Sequence, residues 1–130
     1  MLARVAVIAV LALSATPAMA TEWLTCSDGE GTEIGLLLGH FEGIAVSAVT
    51  LETGGQRWVT DPAYGDGTPI AIGQGFETGE VLVLDLLNGD TSATAAQLRL
   101  FKAEEGDRFA QGGTLRMPGL GAWPVACGES

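Results

Sequence analysis

Val81-Leu82-Val83-Leu84-Asp85-Leu86-Leu87 is an alternating apolar run that leads through Asn88-Gly89-Asp90-Thr91 into a second run, Ala95-Ala96-Gln97-Leu98-Arg99-Leu100-Phe101. Two alternating runs joined by a short Asn-Gly turn are the sequence signal of a β-hairpin. Because successive side chains of a strand point to opposite faces, each run buries every second residue. The predicted core positions of this hairpin are Leu82, Leu84, Leu86, Ala96, Leu98 and Leu100.

The same alternation predicts a polar pair on the outer face of the hairpin. A register that sets Leu84 against Leu100 also sets Asp85 directly against Arg99. Opposite charges across two strands stabilise a sheet. The pair is therefore predicted to be a structural contact and not a catalytic dyad.

Short strand-like segments separated by Gly, Asp, Asn and Pro continue in both directions from this hairpin. They are Trp23–Cys26, Thr32–Leu38, Gly43–Glu52, Gln56–Thr60, Pro69–Phe76, Glu80–Leu87, Thr94–Lys102, Gly113–Met117 and Ala122–Cys127. This spacing, without a helical pattern, is typical of all-β domains. Residues 21–130 are predicted to form a single antiparallel β-sandwich or small β-barrel of about eight to nine strands.

The first twenty residues are typical of a secretory signal peptide. Arg4 supplies a positive start, Val5–Leu13 is an apolar core, and Ala18-Met19-Ala20 is a cleavage site. The apolar run is too short to cross a bilayer as a helix. The sequence thus predicts export to the periplasm or outside the cell.

The last strand-like segment, Gly121–Cys127, ends in one of only two cysteines. In an oxidising compartment a disulfide to Cys26 is expected, and it joins the two ends of the domain. Pro124 cannot donate a ladder hydrogen bond, so this strand is predicted at a sheet edge or at a bulge. Zinc is disfavoured because His40 is the only histidine.

Residues 21–130 carry five basic and sixteen acidic side chains, a formal charge of −11. Nucleic acid and anionic lipid are poor partners for such a chain, whereas a basic protein or a cation is attracted. The alternative is that the charge only maintains solubility.

Chemical motifs are sparse. His40, next to Glu42 in Gly39–Gly43, is predicted in a turn between two strands, and no catalytic residue is assigned. A small hydrolase that uses His40 as a general base stays an alternative.

The acidic stretches Ser27–Glu33 and Thr60–Pro69 offer oxygen ligands without a complete calcium pattern. Both are therefore interpreted as turns, and no metal or cofactor is predicted.

The second acidic stretch is also the first choice for a recognition loop. It contains the only tyrosine, and exposed aromatic side chains in loops are frequent binding anchors. The candidate partner-binding residues are Trp58, Asp61, Tyr64 and Asp66. Trp58 has two interpretations: packing towards the core, which is favoured, or an aromatic patch with Tyr64.

In general layout the chain resembles the small periplasmic inhibitors of lysozyme, which are acidic, mostly β and tied by one disulfide. Those inhibitors present a Ser-Gly-x-Tyr loop, whereas Pro62-Ala63-Tyr64-Gly65 keeps only the tyrosine. The expected function is a non-catalytic binding module that recognises a basic protein partner in the cell envelope. The alternatives are a structural envelope protein without a specific ligand and, less favoured, the hydrolase.

Overall fold

A computed structural model describes residues 21–41 and 43–129, without the side chains of residues 40, 41, 43, 44 and 129. The predicted signal peptide, residues 1–20, lies outside the described residues. The strands are β1 (Thr21–Ser27), β2 (Glu33–Phe41), β3 (Gly43–Thr53), β4 (Gln56–Val59), β5 (Thr68–Glu77), β6 (Val81–Asn88), β7 (Thr94–Glu105), β8 (Arg108–Met117) and β9 (Gly121–Glu129). A short 3-10 helix, Pro62–Tyr64, lies between β4 and β5.

The nine described strands close into a barrel in chain order, with β9 paired back onto β1. The barrel alternative of the predicted fold is therefore the correct one. Neighbouring strands run antiparallel except β4 and β5, which pair in parallel through Trp58 with Thr68 and Val59 with Pro69. The expectation of a wholly antiparallel sheet is wrong at this one pair. The chain from Thr60 to Gly67 returns to the end of the barrel from which β4 started, so β5 begins there too.

The interior holds the residues that the alternation predicts. All six core positions of the β6–β7 hairpin are buried, and residues from the other strands join them in one cluster. Their buried partners include Leu24, Cys26, Ile34, Leu36, Val49, Leu51, Ile70, Leu115, Met117 and Val125. Burial of these apolar side chains is the main favourable contribution to folding.

One end of the barrel is sealed by two threonines. Thr32 at the start of β2 and Thr53 at the end of β3 are both buried, and their hydroxyl oxygens are 2.8 Å apart in a hydrogen bond. Each hydroxyl therefore has a partner, which removes the penalty of burying it. The turns after β1, β3, β6 and β8 lie at this closed end.

The predicted register of β6 and β7 is wrong by two residues. Leu84 lies opposite Leu98, and Asp85 lies opposite Gln97. The ion pair nevertheless forms on the diagonal, with Arg99 Nη2 at 2.8 Å from Asp85 Oδ1. The approach meets the distance of an ion pair but not the angles of a hydrogen bond. Diagonal neighbours in a sheet are within reach of long side chains such as arginine.

The predicted disulfide joins the seam where the barrel closes. Cys26 of β1 lies directly opposite Cys127 of β9, and the two are bonded. The two strands pair only from Leu24 with Glu129 to Ser27 with Ala126. Pro124 lies beyond this seam and pairs with Thr114 of β8, so its missing N–H interrupts no β1–β9 pairing.

Candidate functional site

The predicted recognition loop is held against the barrel wall. Asp61 caps the 3-10 helix, because its Oδ1 accepts a hydrogen bond of 2.8 Å from the Ala63 N–H. Tyr64 ends the helix, and its ring meets that of Trp23 edge-on, with centroids 5.4 Å apart and planes at 76°. Trp58 packs against the core cluster, as favoured, and Asp66 is exposed. Trp58 and Tyr64 therefore belong to different environments.

Arg57 anchors the same loop to the barrel. Its Nη1 lies 2.7 Å from Glu52 Oε1 in an ion pair, and its Nη2 donates a hydrogen bond of 2.7 Å to the Tyr64 carbonyl oxygen. Gly65 follows with a φ of 117°, a conformation that glycine tolerates best, and its position leaves little space above the guanidinium group. The loop is thus held on the outer surface of the barrel by these contacts.

A different site lies at the end of the barrel opposite the threonine seal. A cavity of about 520 Å³ opens there, bordered by the start of β1, the β5–β6 turn, the β7–β8 hairpin and the end of β9. We call this opening the barrel mouth. Its apolar lining includes Leu24, Leu38, Trp23 and Phe109, and its polar lining includes Glu22, Glu77, Lys102 and Gln111.

The mouth is open because neighbouring strands end at different heights. The β7–β8 pairing continues to Glu105 opposite Arg108. The pairing of β7 with β6 ends at Phe101, and that of β8 with β9 ends at Gly112. The hairpin end therefore projects without a paired neighbour on either side.

A shielded ion pair forms part of the cavity wall. Lys102 Nζ lies 3.4 Å from Glu77 Oε2, and the two side chains are only 14% and 19% exposed. Glu22 borders the same cavity and forms no ion pair with another described residue. The charged groups of the described lining thus comprise two carboxylates and one ammonium.

The rim of the mouth is acidic. Glu104, Glu105 and Asp107 are exposed on the projecting hairpin, next to Arg108, and Glu80 is exposed on the β5–β6 turn. Phe109, which is 61% exposed, lies beside these carboxylates and borders the cavity. An exposed aromatic ring beside a predominantly acidic surface is a feature of recognition surfaces.

The sequence contains one signal for this site, in the alternation of β7. The inward alternation of Leu98 and Leu100 continues to Lys102, three residues before the end of β7, which places a charged side chain on the inner face of the wall. Its partner Glu77 lies on β5, opposite the buried Leu82. That pairing depends on a register that alternation alone does not determine.

His40 belongs to β2, and its backbone pairs with Ile44 of β3, whereas a turn position was predicted. The hairpin is tighter than expected, with Phe41 opposite Gly43. The His40 side chain and Glu42 lie outside the described residues. The hydrolase alternative stays a prediction, and full activity of a His40→Ala variant would dismiss it.

The first acidic stretch is a turn stabilised by its own aspartate. Asp28 Oδ1 accepts hydrogen bonds from the backbone N–H groups of Glu30, at 2.8 Å, and Thr32, at 3.0 Å. These bonds hold the pKa of Asp28 below the ordinary value of an aspartate. Within residues 21–41 and 43–129, no cluster of three potential metal ligands occurs.

This turn gives a pH-dependent prediction. The lowered pKa means that ionised Asp28 stabilises the folded state fully above its unfolded pKa of about 3.9, and that this contribution is lost as the pH falls through the folded value. NMR titration of the Asp28 carboxyl is expected to give a midpoint below that of an unfolded peptide. Asp28→Asn should flatten the acid limb of the stability curve more than Asp66→Asn, and equal curves would contradict the assignment.

Comparison with protein-family models, with curated proteins and with solved structures finds no match for this chain. Within the described part of the chain, no helix has the length and apolar character needed to cross a membrane.

Proposed function

We propose that the protein is an exported, non-catalytic binding module that recognises a basic protein partner through the acidic rim of the barrel mouth. The observation that carries this proposal is the projecting β7–β8 hairpin, where Glu104, Glu105 and Asp107 are exposed and Glu104 lies directly opposite the exposed Phe109. The disulfide is compatible with an oxidising compartment such as the periplasm or the cell exterior.

The expected mechanism is steric and electrostatic. Ion pairs within the molecule involve three basic residues that lie outside the rim or within the wall: Arg57, Arg99 and Lys102. Their charges are thereby compensated, while the carboxylates of the rim face solvent. Such a field attracts a basic surface and accelerates association, and added salt screens it.

The test is calorimetric titration of the purified, oxidised protein with a basic lysozyme at low and near-physiological salt. Glu104→Gln/Glu105→Gln is expected to raise the Kd by roughly fivefold to tenfold at low salt, since it removes two rim charges. The matched control, Glu30→Gln/Glu33→Gln, removes two exposed charges near the closed end.

The pattern of results separates the alternatives. A Kd that does not change with salt would remove the electrostatic mechanism. Equal losses in both variants would assign the affinity to net charge alone and not to the rim. Absence of binding at both salt concentrations would favour the structural envelope protein without a specific ligand.

A further inference from the structure

The cavity behind the rim has a chemistry of its own. Its floor contains the buried side chains of Leu24 and Leu38, and Phe109 forms part of its border. Its volume of about 520 Å³ falls within the range of small-molecule pockets, about 300–1,000 Å³. An apolar group of moderate size fits this volume, so a small molecule can fill the cavity without a protein partner.

The charges of the cavity select the sign of a ligand's polar group. Lys102 already has a carboxylate partner in Glu77, so a ligand anion would have to displace that partner. Glu22 borders the cavity without an ion pair to any described residue. A ligand cation beside Glu22 is attracted by a carboxylate that has no ion pair to a described residue, so the described lining favours a cation over an anion.

The closed end determines the direction of entry. Thr32 and Thr53 seal the opposite end of the barrel, and the leucines fill the interior below the mouth. A ligand therefore enters with its apolar part first and leaves its charged group level with Glu22. In this arrangement the apolar part is buried and the positive group lies near a carboxylate. An anion would lack the second interaction, and a fully polar molecule would lack the first.

We propose that the barrel mouth binds a small amphipathic cation, an organic ammonium group carried on an apolar body. This ligand class goes beyond the basic-protein partner proposed above. It concerns the cavity and not the rim, so either proposal can fail without the other.

The probe is dodecyltrimethylammonium below its micellar concentration, compared by calorimetry with dodecyl sulfate and with a neutral dodecyl maltoside. One saturable site is expected for the cation, at least tenfold tighter than for either comparison compound. A series of alkyl chain lengths is expected to gain roughly fourfold in affinity per added methylene until the tail fills the cavity, and then to reach a plateau.

Two matched pairs of variants distinguish the cavity from general adsorption to an acidic protein. Glu22→Gln should weaken cation binding about tenfold, whereas Glu33→Gln, which removes the same charge near the closed end, should change it less than twofold. Phe109→Ala should also weaken binding, whereas Phe101→Ala should not, although Phe101 is even more exposed, at 69%. Far-ultraviolet circular dichroism of each variant checks that the barrel is intact.

The rim variant separates this proposal from the preceding one. Glu104→Gln/Glu105→Gln should retain cation binding within about twofold while it loses affinity for the basic protein. Equal binding of the cation and dodecyl sulfate would overturn the proposal. Equal effects of Glu22→Gln and Glu33→Gln, or affinity that rises with chain length without a plateau, would overturn it as well.

Discussion

Replacement of Cys26 and Cys127 by alanine is expected to lower the free energy of unfolding by roughly 4–5 kcal/mol. The bond closes a loop across a sequence separation of 101 residues. Removing it releases the unfolded chain from that constraint, and it leaves the β1–β9 seam with only its short run of backbone pairs. Since a domain of this size has about 5–15 kcal/mol of total stability, the expected loss is a large part of it.

Urea denaturation of the oxidised protein, the reduced protein and the double variant measures this effect. Cys26 is fully buried, so its replacement by alanine also removes packing, whereas reduction leaves the side chains in place. The difference between reduced protein and double variant therefore isolates the packing contribution. A loss below about 1 kcal/mol on reduction would contradict the loop-entropy account.

Gly113→Ala is expected to destabilise the barrel by about 3 kcal/mol or more, since overpacking that displaces backbone is costly. Gly113 lies opposite Leu100 in the β7–β8 pair. A Cβ atom added there would overlap the carbonyl oxygen of Arg99 and lie 2.9 Å from its carbonyl carbon. Backbone atoms of a paired strand cannot rotate away as a side chain does, so the strands themselves have to separate.

Gly128→Ala provides the control, because a Cβ atom there meets no heavy atom within 4 Å. Thermal unfolding of the two variants is expected to separate them clearly, with Gly128→Ala close to the parent. If Gly113→Ala proved equally mild, the close packing of β8 against β7 at this position would be wrong.

The buried faces follow from the sequence, but the register does not. Alternation identifies Leu82, Leu84 and Leu86 as interior residues because each lies two positions from the next. A shift of two residues between β6 and β7 keeps every side chain on the same face, so the hydrophobic pattern fits both registers equally well. The observed register sets Leu84 opposite Leu98, and the pairing shifts at an irregularity between Leu86 and Leu87 that the alternation does not predict.

The candidate site depended on features that local sequence does not contain. Tyr64 suggested a recognition loop because it is the only tyrosine and lies in an acidic loop. The sequence did not indicate that its ring contacts Trp23, which lies some forty residues earlier in the chain. The mouth arises from unequal strand lengths and brings together Glu22, Glu77 and Lys102 from three strands. Only the inward position of Lys102 was accessible from alternation.

The parallel pairing of β4 with β5 is a requirement of parity. Nine strands cannot alternate in direction around a closed ring, so at least one neighbouring pair has to run the same way. β4 is the shortest of the described strands, and β3 and β5, which flank it, run in opposite directions and also contact each other. Without β4, the remaining strands would alternate around the whole circle. The four residues Gln56–Val59 therefore form a short ninth strand inserted into an otherwise regular eight-stranded up-and-down barrel.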